Sequence, residues 1–342
     1  MQSISNNKIY QADIGSACQA IPDFHLLAGK SILVTGGTGL IGDPIVRMLV
    51  ASEANVFVGS RSEQNVIKKF GDEVTYLPYE ANEELVFNQR FDYIIHAASN
   101  AFPSLISAQP VETILSNVLG THRLLEYAKE KEVGRFLFVS SSEVYGINPS
   151  PNAMTESDYG YVDFLNTRSS YPMGKRTGET LCKSYLEEYG VDTVIVRPGH
   201  IYGPSASVHD NRISSQFAYQ AARGENLMLK SAGSQIRSYL YGVDCASAVL
   251  TVLLKGKSGE AYNISDEKSI TSFRQLAELL AHFGGENLLH EAPTEIERKA
   301  FNPMDNSTLN NEKLRDLGWE AKFDTKTGIQ HTIEILKWIL AL

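Results

Sequence analysis

The sequence predicts an α/β fold: a doubly wound parallel sheet with a smaller carboxy-terminal lobe. Three observations predict it. Residues Ser31–Gly42 read SILVTGGTGLIG, an apolar run that breaks into glycines and then opens a helical pattern. Beyond it, apolar runs of strand length alternate with stretches of helical periodicity. That alternation implies parallel strands joined by right-handed crossovers. Finally, 342 residues with 43% hydrophobic and 21% charged side chains suit one large core, or one core with a smaller lobe.

The elements follow in order. Residues 1–28 are weakly patterned and are expected to pack on the outside of the first domain. Ser31–Thr35 reads as a strand and Asp43–Ala51 as the helix after it. Asn55–Val58, Glu73–Leu77 and Tyr93–His96 read as the next three strands. Pro110–Glu132 carries long helical periodicity, Arg135–Ser140 is a further strand, Tyr171–Tyr189 a helix and Thr193–Arg197 the strand after it. From about Pro204 the pattern changes to Gly, Asn and Ser punctuation with shorter helices and two late clusters, GEAYNIS (Gly259–Ser265) and LGWEAKF (Leu317–Phe323). We read residues 29–203 as the first domain. Residues 204–342 then form mainly a substrate lobe, interleaved with the sheet rather than joined by a linker.

A net charge of −9 argues against a general nucleic-acid binder, which carries a basic patch. It leaves room for a phosphorylated ligand, because local cations and helix N-termini hold phosphates. Cys18, Cys182 and Cys245 are odd in number and lack metal-ligand spacing, so they read as reduced thiols of a cytoplasmic protein with no metal site. No basic start followed by an apolar core marks a secretory signal, and no apolar run reaches the ~18 residues of a membrane span.

Gly36, Gly39 and Gly42 follow the first strand directly and open a helix. Amides at that helix start, along Gly36, Gly39, Leu40, Ile41 and Gly42, would face a dinucleotide pyrophosphate, so the sheet reads as Rossmann-like. An acid is expected at the end of the second strand to hold the adenosine ribose. Here that strand ends Val58-Gly59-Ser60-Arg61. Arg61 suits a 2′-phosphate, and Glu80, after the third strand, suits the adenine amino group. NAD and NADP therefore both stay open.

About 130 residues downstream stands RSSYPMGKR, with Tyr171 and Lys175 in Y-x-x-x-K spacing. These side chains share one helix face. An ammonium there would lower the pKa of the phenol. A phenolate beside a nicotinamide can take a proton from an alcohol while hydride leaves its carbon. The strand before this helix runs into Ser140-Ser141-Ser142-Glu143-Val144-Tyr145-Gly146, at the sheet edge where catalytic groups of α/β sheets collect. Ser141 would hydrogen-bond the reacting oxygen, and Glu143 would act on the carbon next to the new ketone. Arg212 in HDNRISSQF and Arg237 in GSQIRSYLYGVD offer guanidinium forks to a sugar-nucleotide diphosphate. His200, in RPGHIYGP, falls at the next strand end.

On these residues the chain resembles the extended short-chain dehydrogenase/reductases of the NAD-dependent epimerase/dehydratase family, which modify nucleotide sugars. The likeness runs from about Lys30 to Ile335 and rests on TGGTGLIG, IIHAAS, SSSEVYG, Y-x-x-x-K, RPGHIYGP, RSYLYGVD, GEAYNIS and the late LGW. Within the family it is greatest to the UDP-glucuronate decarboxylases. The resemblance implies Ser141, Tyr171 and Lys175 as the oxidoreductive triad, with Glu143 and Arg237 near the sugar's C5 and carboxylate. It further implies Ala97 and Ala98 at the cofactor, Ser142, His200, Arg212 and Arg237 at the substrate, and NAD before NADP. A homodimer through the helices at about Val111–Lys131 and Arg176–Tyr189 is implied too, as is a role in polysaccharide or glycoconjugate pathways. The implied reaction oxidises C4 of UDP-glucuronate, releases CO2 and returns the hydride. The departures are Pro172-Met173 for an acidic pair, His200 for asparagine, Asn211 for glycine, and Ser60-Arg61 for the ribose acid. A GDP-mannose-like 4,6-dehydratase and a 4-epimerase are the alternatives.

Overall fold

Seven parallel strands form the centre of the computed structural model, which describes residues 2–294 and 304–341. In chain order the strands are β1 (Ser31–Thr35), β2 (Asn55–Ser60), β3 (Thr75–Pro78), β4 (Tyr93–His96), β5 (Arg135–Val139), β6 (Thr193–Pro198), β7 (His200–Tyr202), β8 (Leu227–Leu229), β9 (Ile236–Tyr241), β10 (Ala261–Ile264), β11 (Ile270–Ser272), β12 (Leu288–His290) and β13 (Asn306–Ser307). The helices are α1 (Lys8–Cys18), α2 (Gly42–Ala51), α3 (Glu63–Phe70), α4 (Pro103–Ala108), α5 (Pro110–Glu130), α6 (Ser170–Tyr189), α7 (Ile213–Ala222), α8 (Gly242–Lys255) and α9 (Phe273–Gly284), followed by Glu312–Arg315 and Thr325–Leu340.

The sheet runs β3-β2-β1-β4-β5-β6-β10, the doubly wound order with a seventh strand added. Its residues alternate between two cores, as side chains on a strand must. Ile32 and Val34 pack with Ile45, Leu49 and Val249 under α2 and α8. Leu33 faces the other way, with Leu124, Phe136 and Cys182 under α5 and α6. The order reverses between β1 and β4, where Thr35 pairs with His96 at the carboxyl ends. There Gly36 sits at φ +72°, and a Cβ on it would lie 2.7 Å from the Ala98 amide nitrogen. Only glycine satisfies both the backbone and the close approach.

The strands read from the sequence all form, with ends shifted by one or two residues. β5 stops at Val139 because Ser141 caps a 3-10 turn, Ser142–Tyr145, its Oγ accepting from the Glu143 amide at 3.2 Å. Three helices before residue 204 escaped the sequence reading, among them the six-residue α4, which buries only Ile106. The short α3 buries only Val66 and Phe70, too few to show a periodicity. The third is α1, in the leader expected to pack on the outside. Its inward face is Tyr10, Asp13, Ile14 and Ala17, and a buried acid in that stripe disguises the amphipathic pattern.

Much of the chain after residue 203 returns to the main sheet: α8 lies against it and β10 pairs with β6. The rest makes a smaller layer in which β9 pairs with β7, β11 and β13. The two late clusters meet α8. Trp319 is buried and donates to Ser247 Oγ at 2.9 Å, and Asp244 accepts from the amides of Lys322 and Phe323 at 2.9 and 3.0 Å.

Two glycines give opposite expectations. A Cβ on Gly178 of α6 would lie 2.5 Å from Phe138 Cζ, whereas one on Gly15 of α1 would meet nothing within 4 Å. Gly178→Ala should destabilise the fold by about 1–3 kcal/mol through overpacking. Gly15→Ala should stabilise it by about 0.5–1 kcal/mol through helix propensity. Urea unfolding of the two variants checks both signs.

Candidate active site

Two elements deliver the chemistry to the carboxyl edge of the sheet. Helix α6 carries Tyr171 and Lys175, and the turn after β5 carries Ser141, Ser142 and Glu143. Lys175 is fully enclosed. Its Nζ donates to the Val139 carbonyl at 2.8 Å and lies 4.8 Å from the centre of the Phe138 ring. Burial lowers its pKa to about 7, with the Glu179 carboxylate pulling the other way. Tyr171 is hydrogen-bonded by Ser141, but burial first and the Glu143 carboxylate second push its phenol up to about 12. Arg212 and Arg168 oppose that rise. The phenol's pKa is thus raised, where the spacing of the two residues suggests that it would fall. Desolvation of the ring outweighs the surrounding cations, and the lysine is itself drawn toward neutrality.

Glu143 does not stand free. Its Oε1 accepts from Arg168 Nη2 at 2.8 Å. Arg168 went unassigned in the sequence, although it stands three residues before Tyr171 and thus one turn away. Glu179, four residues after Lys175, is the second residue that the sequence reading missed. It accepts from Ser140 Oγ at 2.5 Å and pairs with Arg197 of β6 at 2.6 Å, tying α6 to two strand ends. Ser142 is buried as the first residue of the 3-10 turn.

The cofactor candidates other than Tyr171 and Lys175 line one cleft of about 430 Å3, which includes Gly36, Gly39, Leu40, Ile41, Gly42, Ser60, Arg61, Glu80, Ala97, Ala98 and Val139. The amides of Leu40 and Ile41 have no partner among the described residues. Glycines at close approach and free amides at a helix start fit a dinucleotide pyrophosphate. Arg61 is largely solvent-facing and pairs with Glu80 at 3.7 Å, so β3 supplies a carboxylate at the edge where β2 has none. Arg212 enters the same cleft, held by a fork of bonds to Asp210. A larger cleft of about 740 Å3, lined by Arg176, Arg197, Glu260 and Lys313 among others, includes neither Tyr171 nor the glycine turn.

Arg237 and His200 come from the smaller layer. Arg237 is buried, its guanidinium donating to the carbonyls of Ile236, Met304 and Asp305. No carboxylate pairs with it among the described residues. Burial lowers its pKa, while Tyr239, Asp305 and Glu143 raise it. His200 shares a hydrogen bond with Ser307 Oγ at 3.1 Å. Burial, then Arg237 and Arg212, lower its pKa to about 3, so it stays neutral.

A parallel sheet with a glycine turn at its switch point and a tyrosine–lysine helix at its carboxyl edge defines a short-chain dehydrogenase/reductase of the extended type. More narrowly, the chain belongs to the NAD dependent epimerase/dehydratase family, whose model matches residues 32–265. It is 32% identical over 319 residues to UDP-glucuronic acid decarboxylase 1 of Xenopus tropicalis, spanning 90% of this chain and 72% of that protein. It is 34% identical over 310 residues to UDP-glucuronic acid decarboxylase 6 of Arabidopsis thaliana, spanning 87% and 86%. The dTDP-glucose 4,6-dehydratase of Streptomyces venezuelae, solved with NAD and TYD bound, matches with TM-score 0.77 and 25% identity over 90% of this chain and 97% of that one. The UDP-glucose 4-epimerase of Thermotoga maritima, solved with UDP-glucose, shares the fold at TM-score 0.80 and 24% identity over 91% and 99%. The family resemblance read from the motifs therefore holds.

Because the Glu143 carboxylate raises the Tyr171 pKa, Glu143→Gln should shift the phenol's titration downward. The pH profile of the first half-reaction, read as nicotinamide reduction at 340 nm on mixing with substrate, should move to lower pH. An upward move would contradict this electrostatic account.

Proposed function

We propose that the chain decarboxylates UDP-glucuronate to UDP-xylose with a dinucleotide that stays bound and is recycled. One observation carries the reading: a carboxylate–guanidinium pair, Glu143–Arg168, stands beside the Tyr171 phenol in a chain about a third identical to UDP-glucuronic acid decarboxylases.

In this reading the glycine turn, Glu80, Ala97, Ala98 and Lys175 hold the dinucleotide. A nicotinamide bound there would supply the acceptor, and later the donor, of one hydride. Tyr171, as phenolate, removes the proton of the C4 hydroxyl, whose oxygen Ser141 orients. The C6 carboxylate then lies β to a ketone. The C5–C6 bond breaks, CO2 leaves, and the electron pair moves onto the C4 oxygen. The protonated Tyr171 and Ser141 hydroxyls hold that developing oxyanion. One proton is added at C5 from the Glu143 side, and Tyr171 gives its proton back to the C4 oxygen. The sum consumes one proton and no reductant. Arg237 and Arg212 are the guanidinium groups available to the substrate's anionic groups.

A dehydratase of the dTDP-glucose type needs an acid next to Glu143, and the residue there is the buried hydroxyl of Ser142. That favours decarboxylation. The Arg61–Glu80 pair supports NAD, because the Glu80 carboxylate would repel a 2′-phosphate at this edge. We further read the chain as a homodimer across α5 and α6, where Val111, Leu115 and Tyr189 are 60%, 41% and 48% exposed. The free cysteines suit a reducing, cytoplasmic setting, and a pentose donor suits glycan assembly.

Purified protein given UDP-glucuronate without added dinucleotide should release CO2 and a UDP-pentose, seen by mass spectrometry. Unchanged substrate would sink the decarboxylase reading. Tyr171→Phe should lower the turnover by roughly 10²–10⁴-fold with little change in substrate affinity. Sedimentation of Leu115→Glu should show a monomer where the parent chain sediments as a dimer.

A further inference from the structure

The amino-terminal helix α1 reaches the cofactor turn. Tyr10 is 1% exposed, and its hydroxyl donates to Asp43 Oδ1 at 2.8 Å. Asp43 is the second residue of α2, the helix that opens on the cleft. A buried acid at a phosphate-facing helix start is unfavourable unless it is compensated. Two cations compensate it: Arg47 Nε donates to Oδ1 at 2.9 Å and Lys69 Nζ to Oδ2 at 3.2 Å. The same Lys69 ammonium donates to the Thr38 carbonyl at 2.8 Å, inside the glycine turn.

A second turn carbonyl is held close by. Ser205 lies beside the Tyr10 phenol, and its Oγ donates to the Leu40 carbonyl at 2.9 Å. The Tyr10 hydroxyl thus reaches one turn carbonyl through Asp43 and Lys69, while Ser205 holds the other. In a planar trans peptide the C=O and the following N–H point in opposite directions. Holding the Leu40 carbonyl toward Ser205 turns the Ile41 amide away from it. Ile41 lines the cleft, and its amide has no partner among the described residues.

Helix α1 is itself anchored. Asn7 caps it through bonds from the Ile9 and Tyr10 amides, at 3.0 and 3.1 Å. Asp13 accepts from the Tyr241 hydroxyl at 2.9 Å and pairs with His331 at 3.0 Å, joining α1 to the smaller layer. The Arg47 guanidinium lies over the Tyr10 ring, 5.8 Å from its centre.

We propose that α1 is part of the dinucleotide site and that Tyr10 is a positioning residue for it. Through Asp43 and Lys69 it fixes the Thr38 carbonyl, beside the Leu40 carbonyl that Ser205 holds, and so helps preset the turn whose amides receive the pyrophosphate. The inference rests on the dinucleotide reading of the cleft.

Tyr10→Phe removes one oxygen and keeps the ring. The test strips the purified proteins of bound dinucleotide and titrates NAD by calorimetry. Parent protein that binds no NAD would overturn the cofactor reading and this inference with it. If the parent binds, Tyr10→Phe should bind roughly tenfold more weakly, a loss suited to a hydrogen bond with a charged partner. Ser205→Ala should also weaken binding, and the double variant should lose less than the product of the single losses, because the two act through one turn. Amide exchange of the unloaded Tyr10→Phe protein should quicken at residues 36–42 while α1 stays protected. Unchanged NAD affinity would overturn the inference and leave the cofactor reading intact. Lost affinity with equal loss of protection throughout α1 would also overturn it, since α1 would then be only a structural brace.

Discussion

The approach of α6 to the sheet is the constraint on which the site depends. Tyr171 and Lys175 reach the carboxyl edge of β5 because α6 lies unusually close to it. Gly178 allows that, since a Cβ on it would overlap the Phe138 ring, and Gly174 likewise brings α5 close, since a Cβ on it would lie 2.9 Å from Asn117 Cβ. The ring that α6 leans on also carries the Lys175 ammonium on its face. Helix packing, the lysine's enclosure and the strand-end carbonyl that holds it are thus one arrangement. Loosening any of them loosens the geometry of the phenol.

Enclosure sets the electrostatics. Tyr171 is pushed toward about 12 and Lys175 toward about 7, each away from its charged form, and both chiefly by burial. Burial thus opposes the ion pair that the spacing of the two residues suggests. The Glu143–Arg168 pair bears on the same balance, because the carboxylate raises the phenol's pKa and the guanidinium lowers it.

The smaller layer brings its groups from far along the chain. Arg237 is held by carbonyls at Met304 and Asp305, and His200 by Ser307. Arg212 is matched to Asp210 two residues before it. Among the candidate arginines, Arg237 is enclosed among carbonyls, whereas Arg212 must share its charge with its own acid. The two guanidinium groups therefore differ in their availability to an anion.

The sequence alone determined the parallel sheet, because strands buried on both faces must be apolar runs and their connections must be helical. It also determined the glycine turn and the tyrosine–lysine pair, whose partners lie within one turn of each other. Single residues such as Arg237 and His200 could be named but not placed, since their neighbours lie in segments dozens of residues away. The fold decided the rest. Only packing shows that burial outweighs the arginines around Tyr171, and that Arg168 engages Glu143. Only packing shows that Glu80, after β3, stands against Arg61 at the end of β2. The leader illustrates the limit well. Asp13 and Tyr10 spoil the apolar stripe of α1, and their partners Tyr241 and Asp43 are separated from them by 228 and 33 residues. Hydrogen bonds over such distances leave no periodic trace in a sequence, so it is tertiary structure that makes the amino-terminal helix a neighbour of the cofactor turn.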